Sequence, residues 1–179
     1  MTPNGLTVNK RMDWNEKPEV QKGNLGESII DHYLKSKNLI PYVAVFDGGH
    51  PFDRLVASVD KKQIYIAEIK TKARRTHYPD TGFNYKHYCQ YKYIENKYSI
   101  KIFVFFVDEW AREIYGNFLK TLEEPTEIKH NAKVLNYPLR QKEIIYFPLC
   151  NTRKISDFNE ADAEKLKQLA KRNYVYPEP

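Results

Sequence analysis

The sequence predicts a mixed α/β fold in the order α-β-β-β-α-β, followed by further strands and a closing helix. Two patterns support this order. Apolar residues recur at helical spacing over residues 22–36, and residues 100–107 are almost wholly apolar, as expected for a central strand covered on both faces. The composition agrees, because the 14 Tyr and 9 Phe accompany many β-branched residues, and such residues favour sheets.

Three strands are expected after the first helix, because short apolar runs alternate there with turn residues. They cover residues 41–46, 52–58 and 63–71, and Asp47-Gly48-Gly49 forms a turn after the first of them. Residues 72–83 predict a basic loop. Asn84 is a candidate N-cap for a second helix that runs to about residue 96.

The length of 179 residues predicts one domain over residues 1–179. Residues 1–20 are polar and predict an irregular arm, and residues 22–107 form the core. Residues 108–179 add weaker strands near 114–119 and 144–149 and a helix over 159–172.

The composition excludes several classes of protein. No apolar run approaches the roughly 18 residues that a membrane span needs, and residues 1–21 lack the apolar centre of a signal peptide. Cys89 and Cys150 are far apart and belong to no metal-binding cluster, so we expect buried thiols and no disulfide scaffold. These features predict an intracellular, cytoplasmic protein without a membrane partner.

The positive charge is concentrated in one segment. The net charge is +6, and ten basic residues but only three acidic ones fall between Lys61 and Lys101. Aromatic residues are interleaved with them. A local basic field of this kind suits a polyphosphate partner such as a nucleic acid, and the alternative is a solvated lysine-rich face.

Charged residues also occupy positions where apolar strands rarely carry them. In the strand over residues 63–71, alternation places Glu68 and Lys70 on one face. Asp53 lies near the start of the preceding strand, and antiparallel pairing can bring it close to Glu68. Two carboxylates at close range repel each other, so a divalent cation is their natural neutraliser.

The acid-x-Lys pattern alone is weak, because it occurs at three other places. These are Asp60-Lys61-Lys62, Glu95-Asn96-Lys97 and Glu127-Ile128-Lys129. Only Glu68-Ile69-Lys70 ends an apolar strand that follows an Asp-bearing strand and a Glu-bearing helix. The alternative is a surface ion pair on an ordinary sheet.

Together with Glu27 on the first helix, these residues resemble the PD-(D/E)xK nuclease superfamily. The similar runs are Gly23-Asn24-Leu25-Gly26-Glu27, Pro51-Phe52-Asp53-Arg54-Leu55-Val56 and Ile66-Ala67-Glu68-Ile69-Lys70-Thr71. Phe52 departs from the pattern, since it separates Pro51 from Asp53. The resemblance implies a restriction-endonuclease-like or Holliday-junction-resolvase-like αβββαβ core, with helices flanking a central mixed sheet.

The resemblance further implies a Mg²⁺-dependent endonuclease that hydrolyses DNA phosphodiester bonds, with Mn²⁺ able to replace Mg²⁺. Asp53, Glu68 and the backbone carbonyl of Ile69 would hold the ion. Lys70 would stabilise the attacking hydroxide and the developing charge. Glu27 would hold a metal-bound water or a second ion, or is simply a carboxylate on the helix surface.

Other residues are weaker candidates. His87 and Gln90 lie on the helix after Lys70, where the superfamily often carries a polar residue facing the site, and they are otherwise solvent-facing. A set of basic residues directly after the strand is a candidate for DNA backbone phosphates, or forms a solvated loop. These are Lys72, Arg74, Arg75 and His77.

A single catalytic centre cuts one strand, so paired cuts predict a homodimer. The expected partner is duplex or branched DNA. Two alternatives stay open at this point: a catalytically silent nucleic-acid-binding module on the same fold, and a structural α/β protein whose acidic pair belongs to an ordinary ion-pair network.

Overall fold

The computed structural model describes residues 13–43, 51–60 and 62–171, and a six-stranded mixed sheet lies at its centre. Its strands are Leu39–Tyr42 (β1), Arg54–Ser58 (β2), Ile64–Thr71 (β3), Ile102–Asp108 (β5), Glu113–Phe118 (β6) and Arg153–Asp157 (β11). The order across the sheet is β1-β2-β3-β5-β6-β11. Strands β3 and β5 are parallel, whereas the other neighbours pair in antiparallel fashion.

Two smaller sheets accompany the central one. Strands Asp80–Asn84 (β4), Leu139–Gln141 (β9) and Ile144–Pro148 (β10) form a three-stranded sheet in the order β4-β10-β9. Strands Thr126–His130 (β7) and Lys133–Tyr137 (β8) form a separate two-stranded antiparallel pair.

The helices cover both faces of the central sheet. They are Pro18–Ser36 (α1), Tyr85–Tyr98 (α2), Leu119–Leu122 (α3) and Glu160–Lys171 (α4), with 3₁₀ turns at Trp14–Glu16 and Leu149–Asn151. Helices α1 and α4 pack on one face of the sheet, and α2 and α3 pack with the β4-β10 pair on the other. No helix in the described part of the chain is long and apolar enough to cross a membrane.

Alternation along β3 explains how this strand serves both faces. Ala67 and Ile69 contribute to the core beneath α1, whereas Ile66 belongs to the core beneath α2. Glu68 alternates in phase with Ile66, so its side chain is directed towards the α2 face. Because β3 is central and covered on both sides, this side chain does not reach bulk solvent. The predicted mixed α/β fold with a central mixed sheet and flanking helices is therefore confirmed.

Several predicted boundaries are wrong. Helix α1 already begins at Pro18, so residues 18–20 are not irregular, and residues 1–12 lie outside the described residues. The first strand is β1, Leu39–Tyr42, and the predicted turn at Asp47-Gly48-Gly49 also lies outside the described residues. Strand β2 begins only at Arg54.

The expected basic loop over residues 72–83 is shorter than predicted, because its last residues form β4 and pair with β10. The C-terminal part also contains β7, β8, β9 and β11, which the sequence patterns do not indicate. Asn84 caps α2 as predicted, since its side-chain oxygen accepts a hydrogen bond from the Lys86 N–H. The expectation of buried thiols is wrong, because Cys89 and Cys150 are both exposed.

Candidate active site

The two predicted carboxylates come from adjacent strands, at the place where β3 continues past the first residue of β2. Strand β2 starts with Arg54 opposite Ala67, so Asp53 precedes the strand and lies level with the residues after Ala67. The backbone N–H of Ile69 donates a 2.7 Å hydrogen bond to Asp53 Oδ2. This contact fixes the carboxylate of Asp53 beside the segment that carries Glu68 and Lys70.

Glu68 is the most deeply buried acid of this group, with only 2% of its surface exposed. Its Oε1 atom forms an ion pair with Lys70 Nζ, whereas its Oε2 atom has no hydrogen-bond partner among the described residues. The pKa of Glu68 is raised to about 7. Burial is the main cause; the charge of Lys70 opposes the shift, and the charge of Asp53 adds to it. A buried carboxylate with an unused oxygen is costly unless a cation or a donor reaches it.

Tyr91 was not among the predicted site residues, yet it contributes to the environment of Glu68. Its side chain is 3% exposed and its hydroxyl interacts with Glu68, which lowers the pKa of that carboxyl. Tyr91 also belongs to the core beneath α2, because its ring packs against Phe83. The sequence could have indicated this role, because Tyr91 lies one helical turn after the candidate His87, on the face of α2 that approaches β3.

Glu27 reaches the same region from α1, but it is paired. Its Oε2 atom lies 2.9 Å from Arg54 Nη1, and the same guanidinium binds both oxygens of Asp31 at 2.9 and 3.0 Å. Burial raises the pKa of Glu27, Asp53 adds to the effect, and Arg54 counteracts it. Arg54 and Asp31 thus hold the Glu27 side chain in place, a role that the sequence motif does not indicate.

A close approach between helix and strand positions Glu27. The glycine before it, Gly26, lies against Thr71 at the end of β3, and a Cβ atom at Gly26 would overlap the Thr71 side chain. A residue without a side chain is therefore required here for α1 to lie at this distance from the sheet. Gly26 is thus the contact point between α1 and the end of β3.

The two polar candidates on α2 have different surroundings. His87 is exposed, with its ring 6.3 Å from that of Tyr91. Partial burial and the charge of Lys70 lower the pKa of His87, whereas Asp53 raises it, so this imidazole lies within the electrostatic reach of the site. Gln90 is also exposed but lines a largely apolar groove with Phe52 and Ile66.

Three of the four basic candidates after β3 have partners within the protein. Lys72 Nζ donates a 2.8 Å hydrogen bond to the Gly82 carbonyl, and burial lowers its pKa. Arg74 pairs with Glu113 and Asp108. Arg75 lies 3.3 Å from Asp80 and covers the rings of Tyr78 and Tyr146. His77 is exposed, and its carbonyl accepts a hydrogen bond from the His130 ring.

The donor atoms at this place fit a hard cation held by few protein ligands. Within residues 13–43, 51–60 and 62–171, no three His, Cys, Asp or Glu side chains are close enough to form a metal site by themselves. Glu68 Oε2 has no hydrogen-bond partner in the described structure, and the nearby charge of Asp53 raises the pKa of Glu68. Mg²⁺ commonly binds through one or two carboxylates and retains several waters, which suits this pair.

The backbone of β3 offers one more oxygen. The N–H groups of Ile66 and Lys72 bond to carbonyls of Lys101 and Val107, so even-numbered residues direct their amides towards β5. Ile69 has the opposite orientation, because its N–H points to Asp53. Its carbonyl therefore lies on the Asp53 side of the strand, beyond the start of β2.

No protein-family model and no curated protein matches this chain. The structure is similar to the 1.6 Å structure of Hjc, a Holliday junction resolvase from the archaeal hyperthermophile Archaeoglobus fulgidus. The two chains are 12% identical, the match covers 72% of this chain and 90% of Hjc, and the TM-score is 0.45.

Proposed function

We propose that this protein is a Mg²⁺-dependent endonuclease that hydrolyses DNA phosphodiester bonds, with Mn²⁺ able to replace Mg²⁺. One observation carries the proposal: Glu68 is almost fully buried, one of its oxygens has no partner in the described structure, and Asp53 is fixed beside it by the Ile69 amide. Lys70 pairs with only one oxygen of Glu68, so a divalent cation would further stabilise the two carboxylates at the end of this central strand.

Asp53, Glu68 and the Ile69 carbonyl would hold the ion. When bound, Mg²⁺ polarises a phosphate and lowers the pKa of a coordinated water. Lys70 shares an oxygen of Glu68, so its ammonium is held at the same place and would stabilise negative charge developing on the scissile phosphate. The raised pKa of Glu68 means that, without a cation, this carboxyl binds a proton more readily than an ordinary glutamate does.

Glu27 would act from the outer side of the site, orienting a water rather than supplying a direct ligand. The ion pair with Arg54 supports this role, because it satisfies one carboxylate oxygen and fixes the side chain. Arg54 in turn binds Asp31 through two hydrogen bonds, so the helix and the strand hold Glu27 in one position.

The substrate would approach over α2 and the loop after β3. His87 is the α2 residue that we propose to face the phosphate, since it is within electrostatic reach of Lys70 and Asp53, and Gln90 would border the neighbouring groove. In the basic loop, Arg74 and Arg75 would bind backbone phosphates by exchanging their present carboxylate partners, whereas the exposed His77 is available for direct contact. The loop residues concerned are Lys72, Arg74, Arg75 and His77.

We further propose that the protein acts in the cytoplasm as a homodimer on duplex or branched DNA, since two centres are needed for paired cuts. Size-exclusion chromatography with light scattering tests the dimer. A mass close to twice 21.3 kDa is expected, and a monomer at micromolar concentration would contradict it.

Cleavage assays test the function. A supercoiled plasmid, a linear duplex, a single strand and a four-way junction are incubated with Mg²⁺, with Mn²⁺ or with EDTA. We expect cutting only with metal, and a loss of at least about 100-fold in Asp53→Ala and Glu68→Ala. Asp60→Ala is the matched control, because Asp60 is an exposed acid in another acid-x-Lys run and follows β2 at the end opposite to Asp53.

The outcomes separate the rival functions. If both acidic variants cut as fast as the parent, or if the parent never cuts with either metal, the catalytic assignment is wrong. A parent that binds DNA in a salt-dependent manner but never cuts would instead be a nucleic-acid-binding module.

A further inference from the structure

The β7–β8 pair, hereafter the ribbon, extends from the C-terminal part of the chain and has two different faces. Cross-strand pairs Glu127–Asn136 and Lys129–Val134 form one face, and all four side chains are exposed. The other face carries Ile128 and Leu135, which are partly covered. The ribbon therefore presents one complete face to solvent.

Both ends of the ribbon are fixed to the segment that follows the candidate active site. At its base, the Tyr137 hydroxyl donates a 2.7 Å hydrogen bond to Asp80 Oδ2 inside the protein. At its tip, the His130 ring donates a 2.7 Å hydrogen bond to the His77 carbonyl and lies 5.6 Å from the ring of Tyr78. The ribbon is thus held alongside the basic loop.

The lysines at the ribbon tip differ from the arginines of the loop. Arg74 and Arg75 pair with Glu113 and Asp80, which neutralises them locally. Lys129 and Lys133 are exposed, and neither forms a salt bridge with any residue that the structure describes. Their charge is available to an external anion.

The distance from the catalytic strand suits a nucleic-acid duplex. Lys70 Nζ lies 5.8 Å from the ring of Phe83 on β4, and Asp80 at the start of β4 contacts the ribbon base. Asp80 precedes Phe83 by three positions along the strand, which corresponds to about 10 Å. The ribbon therefore stands well within one turn of B-DNA, about 34 Å, from the catalytic lysine.

We propose that the ribbon is a second DNA contact, a rigid arm whose Lys129 and Lys133 bind backbone phosphates of a duplex while the strand to be cut lies at Asp53 and Glu68. This inference rests on the proposed nuclease function and adds the element that binds the duplex away from the cut. An antiparallel two-stranded ribbon has the width that the major groove admits, and the register places Lys129 on one face of its tip and Lys133, opposite His130, on the other, so that a cation lies on each side of the ribbon.

Duplex binding in the absence of cleavage tests the arm. Fluorescence anisotropy with a 30-base-pair duplex in EDTA compares the parent with the double variant Lys129→Ala/Lys133→Ala at several salt concentrations. We expect about 10-fold weaker binding and a salt slope shallower by about 1.8, as the loss of two phosphate contacts predicts. Lys129→Arg/Lys133→Arg should restore the slope, because charge and reach are kept.

The matched control is Lys35→Ala/Lys37→Ala, which removes the same charge from exposed positions at the distal end of α1. It should bind like the parent. If the ribbon variant keeps the affinity and salt slope of the parent while the parent cuts DNA, the proposed DNA contact of the ribbon is wrong, whereas the proposed nuclease function is retained. If the parent neither binds nor cuts, both proposals fail.

Discussion

The Ile69 backbone N–H donates a hydrogen bond of 2.7 Å to Asp53 Oδ2. Because Ile69 lies between Glu68 and Lys70, the strand that carries the acid and the lysine also holds the second acid in place. Asp53 has no ladder partner of its own, since β2 begins one residue later. This backbone contact lies one residue beyond the last ladder pair and therefore orients the Asp53 carboxylate relative to the strand that carries Glu68.

Asp53→Asn separates this structural contact from the charge. The amide oxygen can still accept the hydrogen bond from Ile69, so we expect a melting temperature within about 2 °C of the parent. The carboxylate charge is lost, so Mn²⁺ affinity measured by titration calorimetry should fall by at least about 10-fold. Unchanged Mn²⁺ affinity would show that Asp53 is not a ligand.

Glu68 should make the metal-free protein more stable in mild acid. Its pKa is about 7 in the folded state and 4.5 as the ordinary value, so the folded state binds the proton more tightly than the unfolded chain. Stability therefore increases as the pH falls through 7, and the gain is complete below 4.5, on the order of 3 kcal/mol. Urea unfolding in EDTA at several pH values measures this trend.

Glu68→Gln provides the reference for that experiment, because the glutamine cannot titrate. The variant should be more stable than the parent at pH 8, and the difference should shrink towards pH 5. A constant difference between parent and variant over this range would mean that the pKa of Glu68 is not raised.

Two glycines of α1 should respond in opposite directions to alanine. Gly26→Ala places a methyl group into the Thr71 side chain, so we expect a loss of about 2 kcal/mol in the free energy of unfolding. Gly23 has no atom within 4 Å of an added Cβ, so Gly23→Ala should gain about 0.5–1 kcal/mol from helix propensity.

A second substitution tests whether the contact with Thr71 is the cause. Thr71→Ala in the Gly26→Ala background removes the overlapping hydroxyl and should recover part of the lost stability. The steric explanation fails if Gly26→Ala is as stable as Gly23→Ala in chemical denaturation.

Arg54→Ala should destabilise the protein by about 2 kcal/mol, because it leaves the carboxylates of Glu27 and Asp31 without their cation. The expected loss in the free energy of unfolding is smaller than for a fully buried ion pair, because both carboxylates are partly exposed. Arg153→Ala, at an exposed arginine on β11, is the control and should stay within about 0.5 kcal/mol of the parent. Equal urea midpoints for the two variants would contradict a structural role of Arg54.

The sequence allows the acidic pair to be predicted because two apolar strands have simple alternation. Once β2 and β3 are placed next to each other, the face and the end of the strand at which Glu68 lies are fixed. Arg54 was not predicted as a partner of Glu27, because the pairing of a helix with a strand end depends on how closely α1 docks. The available signal was an arginine next to Leu55 in an apolar strand, where a charge needs buried partners.

Charge summed along the chain gave an incomplete view of the basic surface. Arg74 is neutralised by Glu113, which is 39 positions away and outside the segment from Lys61 to Lys101. A charge count over that segment therefore treats Arg74 as unpaired. The ribbon was missed for a related reason. Its strands mix polar and apolar residues without strict alternation, and its fixation to the loop through His130 and His77 is visible only in three dimensions.

The most direct test of the central claim is the rate of Mg²⁺-dependent plasmid nicking by Glu68→Gln relative to Asp60→Asn. Both substitutions remove one carboxylate from an acid-x-Lys run, but only Glu68 lies buried next to Asp53 and Lys70. A loss of at least about 100-fold in Glu68→Gln, with Asp60→Asn nicking at the parental rate, is the predicted result. Equal nicking rates for the two variants would contradict the assignment of Glu68 to the catalytic centre.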